Sequence, residues 1–198
     1  MILIAFAAGV ILLLPTLRDA WRRSNERAGG ALTMEKARKT NASIPLVPEL
    51  GKARAFHFHG SSAARVQALD CLATAAVYEA GDDERGQKAV MQVVLNRLAR
   101  PGYPKTVCGV VYQGATRTTG CQFSFSCDGS QVRRPERAGW STARTAARRA
   151  PSGRVFRPVG AATHYHADWV VPYWIGSLDK IAQVEGHIFF RPRQHAET

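Results

Sequence analysis

Acidic residues are scarce in this chain of 198 residues, where 15 Asp and Glu stand against 27 Lys and Arg for a formal net charge of +12. An excess of that size calls for anionic surroundings: nucleic acid, a membrane surface or an acidic envelope polymer. The charge is not gathered in one place, with nine basic and four acidic residues in 1–64 and eighteen and eleven in 65–198. No zinc-finger spacing or RNA-recognition signature accompanies it, which argues against nucleic acid as the partner. There are no internal repeats. The four cysteines, Cys71, Cys108, Cys121 and Cys127, contain no Cys-x-x-Cys pair. A zinc site is therefore disfavoured, and one or two disulfides are expected, with three connectivities open.

An apolar run long enough to span a bilayer is also missing. Met1–Leu14 is unbroken by polar residues and ends at Pro15, whereas a span needs about 20 residues. The length suits a signal-sequence core, although no basic stretch precedes it and no small-x-small cleavage site follows. Residues 1–17 are thus expected to be a signal or anchor segment that exports or tethers the protein, placing it in the cell envelope or periplasm. Arg18, Arg22, Arg23 and Arg27 open a basic, proline-punctuated stretch, 18–62, that reads as a weakly ordered tether with few large apolar residues. The folded, catalytic part is expected over 63–193.

That part begins with a helix, a polar break and a second helix. Val66, Leu69, Leu72, Ala73, Ala76 and Val77 recur at three- and four-residue spacing and predict one buried face. Glu79 lies three residues past Ala76, at the edge of that face. A carboxyl there is partly desolvated and can stay protonated near neutrality as a proton donor; the competing reading is a solvated helix-end residue. Asp82 or Asp83 can cap the second helix, whose inward face is Val90, Val93, Val94, Leu95 and Leu98. Asn96 and Arg97 beside it face a cleft, or else serve a cap or a surface ion pair. Thr106–Gln113 is apolar enough for a short buried helix or strand.

Downstream, Phe123 and Phe125 alternate with Gln122, Ser124 and Ser126, as in a strand with one apolar and one hydrogen-bonding side. Trp140–Arg149 reads as a basic helix, and between Arg133 and Arg157 eight arginines face one acid, Glu136. On a strand His164, His166 and Asp168 share a face while Tyr165 points the other way, but His-x-His alone is weak evidence for a metal. Trp169, Tyr173 and Trp174 join Tyr165 in the same stretch, a composition suited to stacking on sugar rings. Lys180–Val184 and His187–Phe190 form a closing hairpin across Glu185-Gly186.

From Leu69 to Arg191 the chain resembles the cell-wall hydrolases of the spore cortex-lytic (SleB-type) family. The matching pieces, in order, are Ala-Val-Tyr-Glu79-Ala, Gly86-Gln-Lys-Ala-Val-Met-Gln-Val-Val-Leu-Asn-Arg, Thr106-Val-Cys-Gly-Val-Val-Tyr-Gln, Cys121-Gln-Phe-Ser-Phe-Ser-Cys-Asp-Gly, Ala162-Thr-His-Tyr-His, Val171-Pro-Tyr-Trp and His187-Ile-Phe-Phe-Arg. The resemblance implies a compact α+β, lysozyme- or lytic-transglycosylase-like domain of helices with a small antiparallel sheet. It implies peptidoglycan glycan strands as substrate, cleavage of the N-acetylmuramic acid–N-acetylglucosamine β-1,4 bond, no cofactor or metal, and Glu79 as the catalytic acid. Where the family often carries Glu-Ala-Arg-Gly-Glu-Pro, this chain has Glu-Ala-Gly81-Asp82-Asp83-Glu84. By resemblance and by their chemistry, Gln122, Ser124, His164, Tyr165, His166, Tyr173 and Trp174 line the glycan groove.

One clear carboxyl without a second restricts the mechanism, since ordinary glycosidases use two. A single acid/base suffices for a lytic transglycosylase, in which the muramyl 6-hydroxyl attacks C1 and leaves a 1,6-anhydro end. Attack by water makes a muramidase instead, with Asp128 or Asp168 as a stabiliser. Two further alternatives are a non-catalytic peptidoglycan-binding module and an amidase dependent on a metal, or on Cys121 or Cys127 with His164 or His166 as base.

Overall fold

The structure is a computed structural model that describes residues 32–117, 121–132 and 137–193. The expected signal segment, 1–17, and the first part of the expected tether lie outside them. Among the described residues no helix is long and apolar enough to cross a membrane. The expected envelope or periplasmic placement through an N-terminal anchor is corrected to that extent: no membrane-crossing helix supports it among the described residues.

From Met34 onward the chain forms one unit. Among the described residues five α-helices come in order: α1 Met34–Ser43, α2 Ser62–Ala80, α3 Glu84–Leu98, α4 Val107–Val111 and α5 Arg137–Arg149. Strands β1 His164–Ala167, β2 Leu178–Val184 and β3 His187–Pro192 form an antiparallel sheet in the order β1-β3-β2. This is the α+β class expected. The β2–β3 hairpin turns at Glu185-Gly186, as the alternation predicted.

Helix α3 is the axis. Of its 15 residues, eleven are buried, because one side packs on α2, α4 and α5 and the other on the sheet. Val90, Met91, Val94 and Leu95 meet Leu72, Ala76, Val110, Phe123 and Ala147 in the first cluster. Ala89 and Val93 meet Val159, Ile181, Val184 and Phe189 in the second. Four polar residues are buried with them, and each hydrogen-bonds main chain outside the helix. Gln87 Nε2 donates to Gly81 O (2.6 Å) and Gly139 O (3.0 Å). Gln92 donates to Arg54 O at 2.9 Å and accepts from Phe156 N at 2.8 Å. Asn96 Nδ2 donates to Gly160 O and Ala162 O, and Arg97 Nε donates to Thr163 O at 2.6 Å. The irregular segments are thus stitched to the central helix by its own amides and guanidinium.

The predicted buried face of α2 needs one correction. Val66 is 59% exposed, and the face runs instead through Ala68, Cys71, Leu72, Ala75 and Ala76. Near the helix start Val66 lines a surface pocket with Leu69, Asp70 and the α5 residues Arg144 and Arg148. Helix α2 is capped by Ser61, whose side chain accepts from Ala64 N, and stops at Gly81, whose φ of +56° favours glycine. Asp83 caps α3 by accepting from Arg85 N and Gly86 N. Two disulfides close the framework: Cys71–Cys108 ties α2 to α4, and Cys121–Cys127 closes a short loop. Within that loop the expected strand is a 3-10 turn, Ser124–Ser126, because a ring closed over so few residues cannot stay extended.

Candidate active site

A cavity of about 430 Å³ opens where the C-terminal end of α2, α3, the Cys121–Cys127 loop and the sheet edge meet. Its walls include Glu79, Arg97, Gln122, Ser124, His164, Tyr165, His166, Trp169, Trp174 and His187. Seven of the residues singled out from the sequence therefore come together. Tyr173 does not: it is 99% exposed and outside the cavity, because the turn after Pro172 swings it outward while Trp174 turns in. A larger cavity, about 650 Å³, lies between Phe56–His59 and the ends of α2, α3 and α4, and among the described residues its wall holds no acid.

Glu79 reaches the cavity from the last turn of α2. Its neighbour Tyr78 stacks on Phe125 with ring centroids 4.6 Å apart, which fixes that turn against the disulfide loop. Burial pushes the Glu79 carboxyl above the usual range, opposed by a hydrogen bond from the Tyr165 hydroxyl and the charge of Arg97, while the charge of Asp128 adds to the rise. Tyr165 is pushed well above its ordinary value, first by burial and then by Glu79, so it stays a phenol that donates.

Arg97 is the residue the sequence left undecided. Only 2% exposed, it lies between the rings of Tyr103 (5.8 Å) and Phe123 (5.4 Å). Burial depresses its pKa, and the electrostatic pull of Tyr165, Tyr103 and Glu79 acts in the opposite direction. With the Gln122 amide turned so that both groups are satisfied, Gln122 Oε1 accepts from Nη1 and Nη2 of Arg97 at 3.1 Å each. Asn96, one residue earlier, bonds backbone away from the cavity.

Burial favours the neutral form of the three imidazoles at the cavity, His164, His166 and His187. His164 falls to about 4, chiefly by burial and then by the charges of Arg97 and Arg100, and its Nδ1 lies 2.9 Å from Thr163 Oγ1. His166 and His187 are lowered as well, first by burial. His166 stacks on Phe190 at 5.1 Å, and Trp174 contacts His164, His166 and Phe190. Tyr165 points to the opposite side of β1 and meets His187 at 5.4 Å and Phe123 at 6.4 Å. Among the described residues no cluster of three or more His, Cys, Asp or Glu is placed to hold a metal. All four cysteines are in disulfides, so neither Cys121 nor Cys127 offers a thiolate. The wall also holds Arg97, which the sequence left between a cleft and a cap or ion pair, and Trp169, one of the aromatics suited to sugar stacking. Tyr78 and His187 line it too, and no local signal gave either a place in the groove.

These features define an α+β domain with one buried, protonatable carboxyl in a polar groove edged by aromatic rings. The chain belongs to the cell wall hydrolase family, whose model matches residues 81–190. The match starts two residues after Glu79 and takes in Arg97, Gln122 and the sheet edge. A spore cortex-lytic enzyme of Halalkalibacterium halodurans is 34% identical over 123 residues, 61% of this chain and 34% of the relative. One from Bacillus cereus is 31% identical over 110 residues, 55% of this chain and 38% of the relative. The chain spans about a third of the length of these curated relatives. No solved structure matches it.

Proposed function

We propose that residues 63–193 form a catalytic domain that cleaves peptidoglycan glycan strands at the N-acetylmuramic acid–N-acetylglucosamine β-1,4 bond, as a lytic transglycosylase with Glu79 as its one acid/base. The observation that carries this reading is the state of Glu79. It is the sole carboxylate among the described cavity residues, and it is held toward its protonated form by burial. As acid it protonates the glycosidic oxygen while the C1–O bond breaks. As carboxylate it then takes the proton from the muramyl 6-hydroxyl as that oxygen bonds C1, closing the 1,6-anhydro ring. The Tyr165 hydroxyl, donating to Glu79, stabilises the carboxylate formed between the two steps. Neutral His164 and His166, with Gln122 and Ser124, supply hydrogen bonds to sugar hydroxyl and acetamido groups. The kinship with spore cortex-lytic enzymes and the aromatic edge of the groove support a glycan substrate.

Hydrolysis, the muramidase reading, draws support from Asp128, whose charge is felt by Glu79; a second carboxylate can orient water. Digestion of purified sacculi followed by mass spectrometry separates the two. Anhydromuramyl ends are expected, reducing muramyl ends would identify the muramidase, and Glu79→Gln abolishes either. Lysis retained by Glu79→Gln would remove Glu79 from the chemistry.

A further inference from the structure

Beyond β1 the chain makes a tight turn at Asp168, Trp169 and Val170. Val170 N donates to Ala167 O at 2.9 Å, and Asp168 N donates to Gly186 O at 2.8 Å across the β2–β3 turn. Trp169, at the tip, lines the cavity and is 42% exposed. Trp140 packs on Tyr78 and Arg144, and Trp174 packs on His164, His166 and Phe190. Among the described residues Trp169 is the tryptophan whose ring makes no aromatic or cation contact. It leans over Gly186, where a Cβ would meet its ring at 3.6 Å. An indole half in water at the mouth of a polar groove, with an unused face, presents the surface that the apolar face of a pyranose ring stacks on.

The turn is held from α1, outside the 81–190 region shared with the family. Asn41, 2% exposed, donates from Nδ2 to both carbonyls that flank Trp169: Asp168 O at 2.6 Å and Val170 O at 2.9 Å. Arg38 Nε, one turn earlier, meets Asp168 Oδ1 at 3.1 Å. Asn41 is anchored in turn, because the buried Lys180 ammonium donates to Asn41 O at 2.8 Å and Ile44 O at 3.3 Å. Asn41 Oδ1 is buried without a partner. A residue serving only to pack α1 on the sheet would not carry that cost; the amide is explained by its grip on the two carbonyls.

We propose that Trp169 is a stacking platform for a hexosamine ring of the glycan, and that Asn41 is the positioning residue that holds it. This rests on reading the cavity as a glycan groove. The test uses the full chain carrying Glu79→Gln, so that binding is read without turnover, against purified sacculi by pelleting and against chitooligosaccharides by intrinsic fluorescence. Trp169→Ala weakens binding about tenfold, and Asn41→Ala weakens it severalfold in the same direction. The double substitution is no weaker than Trp169→Ala alone, since Asn41 acts through the turn. Arg38→Ala, at an exposed side chain, loosens the same turn and gives a severalfold loss if Asn41→Ala fails to fold. Undiminished binding by Trp169→Ala, or additive losses in the double variant, would overturn the proposal. Failure of the catalytic reading shows separately, as intact sacculi after incubation with the unsubstituted chain.

Discussion

Arg97 and Gln122 are locked face to face, with Gln122 Oε1 accepting from both terminal nitrogens of a guanidinium that is 2% exposed. The pairing directs the Gln122 amide nitrogen away from Arg97 and leaves it as a donor in the cavity wall. Gln122→Glu keeps the grip on Arg97, now charge-assisted, but exchanges that donor for an acceptor. Lysis of sacculi is expected to fall at least about tenfold, roughly 1.4 kcal/mol, without a fall in Tm. Equal loss of Tm and activity would mean that Gln122 only braces Arg97.

Glu79 makes stability depend on pH in a defined direction. Its folded pKa lies above the unfolded value, so the folded state holds its proton more tightly. Stability from this group is complete below about pH 4.5 and is lost as pH rises through the folded pKa. Glu79→Gln removes the term. Its Tm is expected to exceed that of the parent at neutral pH and to converge with it below about pH 4.5. Lytic rate, which needs the protonated acid, falls over the same rise in pH.

The two disulfides serve different ends. Cys71–Cys108 closes a separation of 37 residues and Cys121–Cys127 one of 6. Loop-closure entropy assigns about 4 kcal/mol to the first and about 2 kcal/mol to the second. Cys71→Ala with Cys108→Ala is expected to cost more in urea midpoint. Cys121→Ser with Cys127→Ser frees the loop bearing Gln122 and Phe125, and is expected to cost more in lytic rate per folded molecule. Circular dichroism and sacculus digestion on both double variants measure the contrast.

Gly139 marks the tightest approach of α5 to the helix break. A Cβ there would sit 2.4 Å from Gly81 O, the same carbonyl that Gln87 holds. Gly139→Ala is expected to push α5 away and destabilise the domain by ~1–3 kcal/mol, read as a lowered urea midpoint.

The sequence was most legible where signals were local. Periodicity located α2 and α3, Asp83 was among the expected caps, and alternation found the β2–β3 hairpin. It misled where a long-range constraint overrode a local pattern. The alternating Gln122–Ser126 stretch folds as a turn because Cys121 is bonded to Cys127. Val66 keeps helical spacing yet is exposed, because the packing of α2 begins at Ala68. Arg97 is buried through partners 66 residues away at Thr163 and in the Gln122 loop, which no window along the chain contains. Tyr173 and Trp174 are adjacent and chemically alike, and only the course of the backbone puts one outside and one in.

Because Gln87 holds the break between α2 and α3 through the main-chain carbonyls of Gly81 and Gly139, the position of Glu79 does not depend on what Asp82 or Glu84 carries. Those two positions form a cassette that can be rewritten while Gly81, Asp83, Gly86 and Gln87 are kept, which makes the departure from the common family loop compatible with an unmoved acid. Neither side chain lines the cavity, so the surface beside the break can change without disturbing the groove.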